Sequence, residues 1–193
     1  SQDLKQLMTQ TAKDIQLVVD IEEANLVINK AADLVNEAYM LNIDKEKIVI
    51  NTNTYSGMVY AIQSLIQIDV AAQLGSNRLP LIDIKDAPRF AYRGFLLDIS
   101  RNFYGLNKIK QIVDLMSLYK LNHLNLKLTD DEGWRLEIPG LPELTEVGAK
   151  RGYTKDEQDR LIPMYGSGAD GGETGNGFLS QQDFIDLLQY ARV

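Results

Sequence analysis

The chain has 193 residues, of which 45% are hydrophobic and 24% charged, the composition of a soluble globular protein with one ordinary domain or two small ones. A formal net charge of −7 without a Lys/Arg cluster argues against a nucleic-acid or anionic-membrane partner, since both need a basic face. The absence of cysteine excludes disulfides, thiolate metal sites and cysteine nucleophiles.

The N-terminal stretch SQDLKQLMTQTAKDIQLVV lacks the basic start and long apolar core of a signal peptide, although a leader upstream of residue 1 stays open. No run of 18 apolar residues is present, so no membrane-spanning segment is expected. Short runs rich in β-branched residues follow, at residues 25–28, 39–43 and 47–50, and these are predicted strands of a small sheet. Asp44-Lys45-Glu46 is short enough to be a hairpin between the second and third. Residues 54–68 carry Val59, Ile62 and Ile66 at helical spacing behind Ser56, a predicted N-cap, which gives an amphipathic helix covering the sheet. One more strand is expected at residues 79–84, before a proline-marked junction at Pro88. Residues 1–87 are therefore predicted to form a small α+β domain.

Beyond Pro88 the pattern becomes strand, helix, strand, helix. The nearly continuous apolar run from Tyr92 to Asp98 predicts a strand buried on both faces. A helix from about Asn107 places Ile109, Ile112, Val113, Met116 and Tyr119 on one side. A second strand is expected from His123 to Leu128, and a second helix from Ser180 to Tyr190. That helix should open with a capping box of Ser180 and Asp183 and bury Phe184, Leu187, Leu188 and Ala191. This alternation implies βαβ units and a parallel sheet. Two strands make a poor parallel sheet, and a (β/α)8 barrel needs about 250 residues. Residues 88–193 are accordingly expected to be the N-terminal part of a truncated barrel.

In such folds functional groups gather at the carboxyl ends of strands. Two ends are visible here: Leu97-Asp98-Ile99-Ser100-Arg101-Asn102-Phe103 and Leu128-Thr129-Asp130-Asp131-Glu132-Gly133-Trp134-Arg135. The connection after the second is far longer than the usual roughly 2–6 residues, and it contains a glycine-rich run at residues 166–177 that is no phosphate loop. Arg101 either pairs with Asp98 as a rim seal or binds a ligand. Asp130-Asp131-Glu132 is either a solvated turn or part of a site, and its spacing lacks the alternating oxygen ligands of a calcium loop. Trp134 either stacks on a sugar or wedges under the loop. His123, the sole histidine, falls at the opposite end of its strand and is expected to be structural. An acidic cleft containing arginine suits neutral polyols, whose hydroxyls donate to carboxylates and accept from a guanidinium.

The ordered blocks Asp86-Ala-Pro-Arg-Phe90, Tyr92 to Phe103, Lys120-Leu-Asn122, Leu128-Thr-Asp-Asp-Glu-Gly-Trp-Arg-Leu-Glu-Ile138 and Pro142-Glu-Leu-Thr145 with Gly148-Ala149 resemble glycoside hydrolase family 20, the β-N-acetylhexosaminidases. The resemblance implies an α/β architecture in which a small auxiliary α+β domain precedes a (β/α)8 barrel. It implies retaining, substrate-assisted hydrolysis of terminal non-reducing β-N-acetylhexosamine, without cofactor or metal. Arg101 matches the arginine that grips hydroxyls of the terminal sugar, and Asp130 the aspartate that supports the catalytic acid; Asp98, Asp131 and Trp134 are secondary candidates. No segment matches the family's catalytic Asp-Glu pair after the fourth strand, so the isolated chain is expected to be inactive. Departures from the pattern are Asn125-Leu-Lys127, where many members have His-x-His, and Asn102, where histidine is common. N-acetylhexosamine-containing glycans are the expected partners, with self-association through an incomplete barrel and a periplasmic or secreted location. The rival reading is a non-catalytic glycan-binding or interaction module on the same fold.

Overall fold

The computed structural model describes residues 26–75, 78–150 and 175–192. The reading of the N-terminal stretch, and most of the glycine-rich run, lie outside these residues. The chain forms two compact units, Ser1–Ala91 and Tyr92–Val193.

In the first unit, β1 (Leu26–Lys30), β2 (Tyr39–Ile43), β3 (Ile48–Thr52) and β4 (Ile82–Asp86) form one sheet in the order β1-β3-β2-β4. β1 runs parallel to β3, while β2 is antiparallel to both β3 and β4. The β2–β3 hairpin closes as its sequence predicts. Asp44 Oδ1 accepts the amides of Glu46 and Lys47, each at 2.7 Å, and the Asp44 amide donates to the Lys47 carbonyl at 3.1 Å. Those bonds from Lys47 and Glu46 hold the Asp44 carboxyl below its usual range. Strand alternation then turns Tyr39, Leu41 and Ile43 to one buried face with Ile50.

α1 (Tyr55–Leu74) covers that face, but its start and its packing side differ from the sequence expectation. Thr54, not Ser56, is the N-cap: its Oγ1 accepts the Gly57 amide at 3.1 Å. The buried residues are Gly57, Ala61, Leu65 and Val70, whereas Val59, Ile62 and Ile66 are half-buried, Ile62 among them packing against the core. A Cβ on Gly57 would lie 2.2 Å from Thr52 Oγ1 and 2.6 Å from the Ala38 carbonyl, so the helix seats against the sheet on its small residues. Of the expected stripe Ile62 does pack against the core, but the closest approach to the sheet is made at Gly57, where the side chain is smallest. β4 begins at Ile82 rather than at 79, because Pro80 has no amide to give a ladder.

The second unit contains β5 (Gly94–Asp98), α2 (Leu106–Leu118), β6 (His123–Lys127), the two-residue strands β7 (Thr129–Asp130) and β8 (Gly133–Trp134), α3 (Glu143–Glu146) and α4 (Gln181–Tyr190). β5 and β6 are parallel, with Gly94 opposite His123 and Asp98 opposite Lys127. Leu97, Ile99, Ile109, Leu179 and Leu187 make the buried core of this unit. α4 opens with the predicted capping box, in which Ser180 and Asp183 each bond the other's backbone amide.

Two burial expectations fail here. Leu188 on α4 is 53% exposed and Ala191, its C-cap, is exposed, while Tyr119, the C-cap of α2, is 72% exposed at the end of the side expected for it. β5 is not buried on both faces: Phe95 is 41% and Leu96 59% exposed. The sheet is two-stranded and open, so only the surface under α2 and α4 is covered. The two helices are pinned to each other by Tyr190, whose hydroxyl donates to Asp114 and whose ring lies 5.1 Å beneath the Lys110 ammonium. The Asp114 bond pushes the Tyr190 hydroxyl up to about 12.

Replacing Gly57 by valine forces branched carbons into the space of Thr52 Oγ1 and the Ala38 carbonyl. The variant is expected to lose about 1–3 kcal/mol in urea denaturation of the first unit.

Candidate functional site

Parallel pairing in register brings the carboxyl ends of β5 and β6 together, with Asp98 beside Lys127. Beyond β5 the chain turns sharply, and Asp98 shapes that turn. Its Oδ1 accepts the Ser100 amide at 2.9 Å, the Ser100 hydroxyl at 2.7 Å and the Arg101 amide at 3.1 Å. Partial burial pushes the Asp98 carboxyl up, but these bonds and the Arg101 guanidinium outweigh it and hold the group at about 2.

The turn presents Arg101 to three carboxylates. Nη1 lies 2.5 Å from Asp98 Oδ2, Nη2 lies 3.2 Å from Asp130 Oδ2, and Nε lies 2.9 Å from Glu132 Oε2. Lys127 Nζ also contacts Asp130 and stands 3.7 Å from Asp98 Oδ2. Asp130 is held well below the usual carboxylate range, first by the Lys127 ammonium and then by Asp131, whose amide donates to Asp130 Oδ1 at 2.8 Å. Asp98 and Asp130 are therefore ionised at neutral pH, while the Arg101 side chain remains 46% exposed.

The β7–β8 hairpin delivers Asp130 and Glu132 to this cluster. Arg101 and Asp130, singled out from sequence, are thus in direct contact, and Asp98 belongs to the same group. Asp131 is exposed and contributes its amide. Trp134 lies to the side: its indole Nε1 donates to the Leu136 carbonyl at 2.5 Å and its amide to the Gly148 carbonyl at 2.8 Å, so it fastens the segment around α3. His123 sits at the other end of β6, its ring 4.6 Å from that of Tyr92. Among the described residues no group of three or more His, Asp or Glu is arranged to hold a metal ion.

Two residues were not singled out as site residues: Arg135 was passed over, and Glu132 was weighed only within the Asp130-Asp131-Glu132 run. Glu132, 6% exposed, meets Arg101 from the buried side, and its Oε2 has no well-directed hydrogen bond despite the ion-pair distance. Arg135 is fully buried, and its guanidinium donates to the carbonyls of Ile99, Ser100, Ala149 and Gly177. For Glu132 the signal was the acidic run itself, whereas Arg135 had only the alternation expected of a hairpin, which two-residue strands are too short to display.

A family model described as the catalytic domain of glycosyl hydrolase family 20 matches residues 90–193, and one described as domain 2 of that family matches residues 1–87. The chain belongs to glycosyl hydrolase family 20. Its fold is the family's N-terminal domain followed by the start of the TIM barrel, which is not closed in this chain. Among relatives, an N,N'-diacetylchitobiase of Vibrio harveyi is 47% identical over 155 residues, covering 80% of this chain and 17% of its own length. A β-hexosaminidase B of Pseudoalteromonas piscicida is 40% identical over 179 residues, covering 91% of this chain and 23% of its own length. A family 20 exo β-N-acetylglucosaminidase from Vibrio harveyi, solved with N-acetylglucosamine, superposes with a TM-score of 0.79 at 31% identity, over 97% of this chain and 29% of that one. The chain thus spans about a fifth of the length of these curated relatives.

The depressed Asp98 carboxyl has a measurable consequence. Its folded value of about 2 lies below the ordinary 3.8, so its contribution to stability is present above about pH 4 and is lost as pH falls through about 2. Asp98→Asn is expected to lower the thermal midpoint at neutral pH and to flatten its fall between about pH 4 and pH 2. Thermal denaturation of both proteins across that range checks this.

Proposed function

We propose that the longer protein of which this chain is a part removes terminal non-reducing β-linked N-acetylglucosamine or N-acetylgalactosamine by retaining, substrate-assisted hydrolysis. The observation that carries this reading is the contact between Arg101, at the exit of β5, and Asp130, at the exit of β6, in a chain of family 20. The names of the relatives, chitobiase and β-hexosaminidase, point to the same substrates.

In this reading Arg101 is the sugar-binding residue. Three carboxylates fix its guanidinium, and its exposed edge donates to hydroxyls of the terminal sugar. Asp130, kept ionised by Lys127 and the Asp131 amide, supports through hydrogen bonds a general acid contributed from outside these 193 residues. The acetamido oxygen of the substrate attacks the anomeric carbon while that acid protonates the departing oxygen. Residues 1–87 serve as the auxiliary domain and 88–193 as the opening of the barrel. No step needs a metal or an organic cofactor.

Two measurements test the proposal. Arg101→Ala in the longer protein should weaken use of an aryl N-acetylglucosaminide by about ten- to a hundredfold in kcat/KM, the loss expected when charge-assisted bonds to substrate are removed; unchanged kinetics would sink the assignment. The isolated 193-residue chain should release no chromophore from the same substrate, and measurable release would contradict the absence of the general acid from it.

A further inference from the structure

We propose that Arg135 is a positioning residue for sugar binding: it locks the peptide unit that carries Arg101 and ties it to the backbone at Ala149 and Gly177. This inference rests on the glycosidase reading of the Arg101 site.

The Ser100–Arg101 peptide is held from both sides. Its carbonyl accepts from Arg135 Nε at 3.1 Å and Nη2 at 2.8 Å, and its amide donates to Asp98 Oδ1 at 3.1 Å. A peptide unit is planar, so gripping both its oxygen and its nitrogen fixes the plane and with it the direction in which Arg101 leaves the backbone. Arg135 also donates from Nε to the Ile99 carbonyl at 3.1 Å, which steadies the preceding unit.

The other edge of the same guanidinium faces away from the strand. Nη1 donates to the Ala149 carbonyl at 2.8 Å and to the Gly177 carbonyl at 3.1 Å. Those two residues are also joined directly, Gly177 amide to Ala149 carbonyl at 3.1 Å, and the Phe103 amide donates to the Gly175 carbonyl at 3.1 Å. Ala149 and Gly177 therefore meet at one point, and that point shares a guanidinium with the backbone of Arg101.

The surrounding residues are shaped to this contact. A Cβ on Gly133 would fall 2.6 Å from both Arg135 Nη2 and the Ser100 carbonyl. Gly177 has φ +123°, and a Cβ there would lie 2.7 Å from the Phe103 ring, whose centroid is 6.0 Å from Arg135 Cζ. Lysine cannot replace the arginine, because an ammonium donates from one point whereas these carbonyls lie along opposite edges of a planar fork. Displacing the neck at 149 and 177 should then reach Arg101 through Arg135.

The test uses Arg135→Lys and Gly177→Ala in the longer protein, with steady-state kinetics on an aryl N-acetylglucosaminide and amide hydrogen exchange. Arg135→Lys should raise KM about tenfold while kcat stays within about threefold, with the amides of Arg101, Phe103 and Gly177 losing protection together. Gly177→Ala, which leaves Arg135 in place, should raise KM in the same direction and expose the same amides. Loss of protection at Gly177 with unchanged KM in either variant overturns the inference. Should Arg135→Lys unfold the second unit, Gly177→Ala decides alone. A wild-type protein without turnover would sink the glycosidase reading instead; the coupling is then judged by exchange in Gly177→Ala, where joint loss at Arg101 and Gly177 supports it and loss at Gly177 alone overturns it.

Discussion

A guanidinium removed wholly from water is costly unless its N–H groups find acceptors, and in this protein the burial of Arg135 constrains everything around it. Its acceptors are main-chain carbonyls from the exit of β5, from the end of the α3 segment and from the approach to α4. Its own backbone completes the joint: the amide donates to the Leu128 carbonyl at 3.0 Å, and the carbonyl accepts the Leu179 amide at 2.9 Å. Segments distant in sequence therefore meet around one side chain. Glycine at 133 follows from the space that side chain occupies.

The charge cluster beside it works differently. Arg101 is about half exposed, and ion pairs with an exposed partner contribute little to stability because water screens them and ordering the side chains costs entropy. The value of Asp98, Asp130 and Glu132 lies in geometry, since each takes a different nitrogen of the guanidinium. Only Glu132 is buried, and it closes the cluster from below. Lys127 offsets part of the negative charge, so that Asp98 and Asp130 stay ionised side by side.

Much of this was legible from sequence where the signal is local. The Asp44 turn, the Ser180–Asp183 capping box and the strand-end placement of Arg101 and Asp130 each depend on residues within a few positions, and each is found as expected. What escaped depends on contacts made at a distance. The packing face of α1 was set by the closeness of Thr52 and Ala38 to Gly57, which periodicity of large side chains does not report. Burial of Leu96, Leu188 and Ala191 was expected from pattern, but a pattern records a face suited to covering and not whether anything covers it. Arg135 gave no sign of full burial, because its acceptors are backbone carbonyls that any sequence would supply.

Under the proposed glycosidase function, Arg101, aimed by its carboxylates and by Arg135, grips the terminal sugar. The most direct measurement is a crystal structure of the longer protein soaked with N-acetylglucosamine. The expected result is a sugar whose hydroxyl oxygens lie about 2.7–3.2 Å from Arg101 nitrogens, with Arg101 still held by Asp98, Asp130 and Glu132. A sugar bound in the barrel mouth with no hydroxyl within hydrogen-bond reach of Arg101 would contradict it.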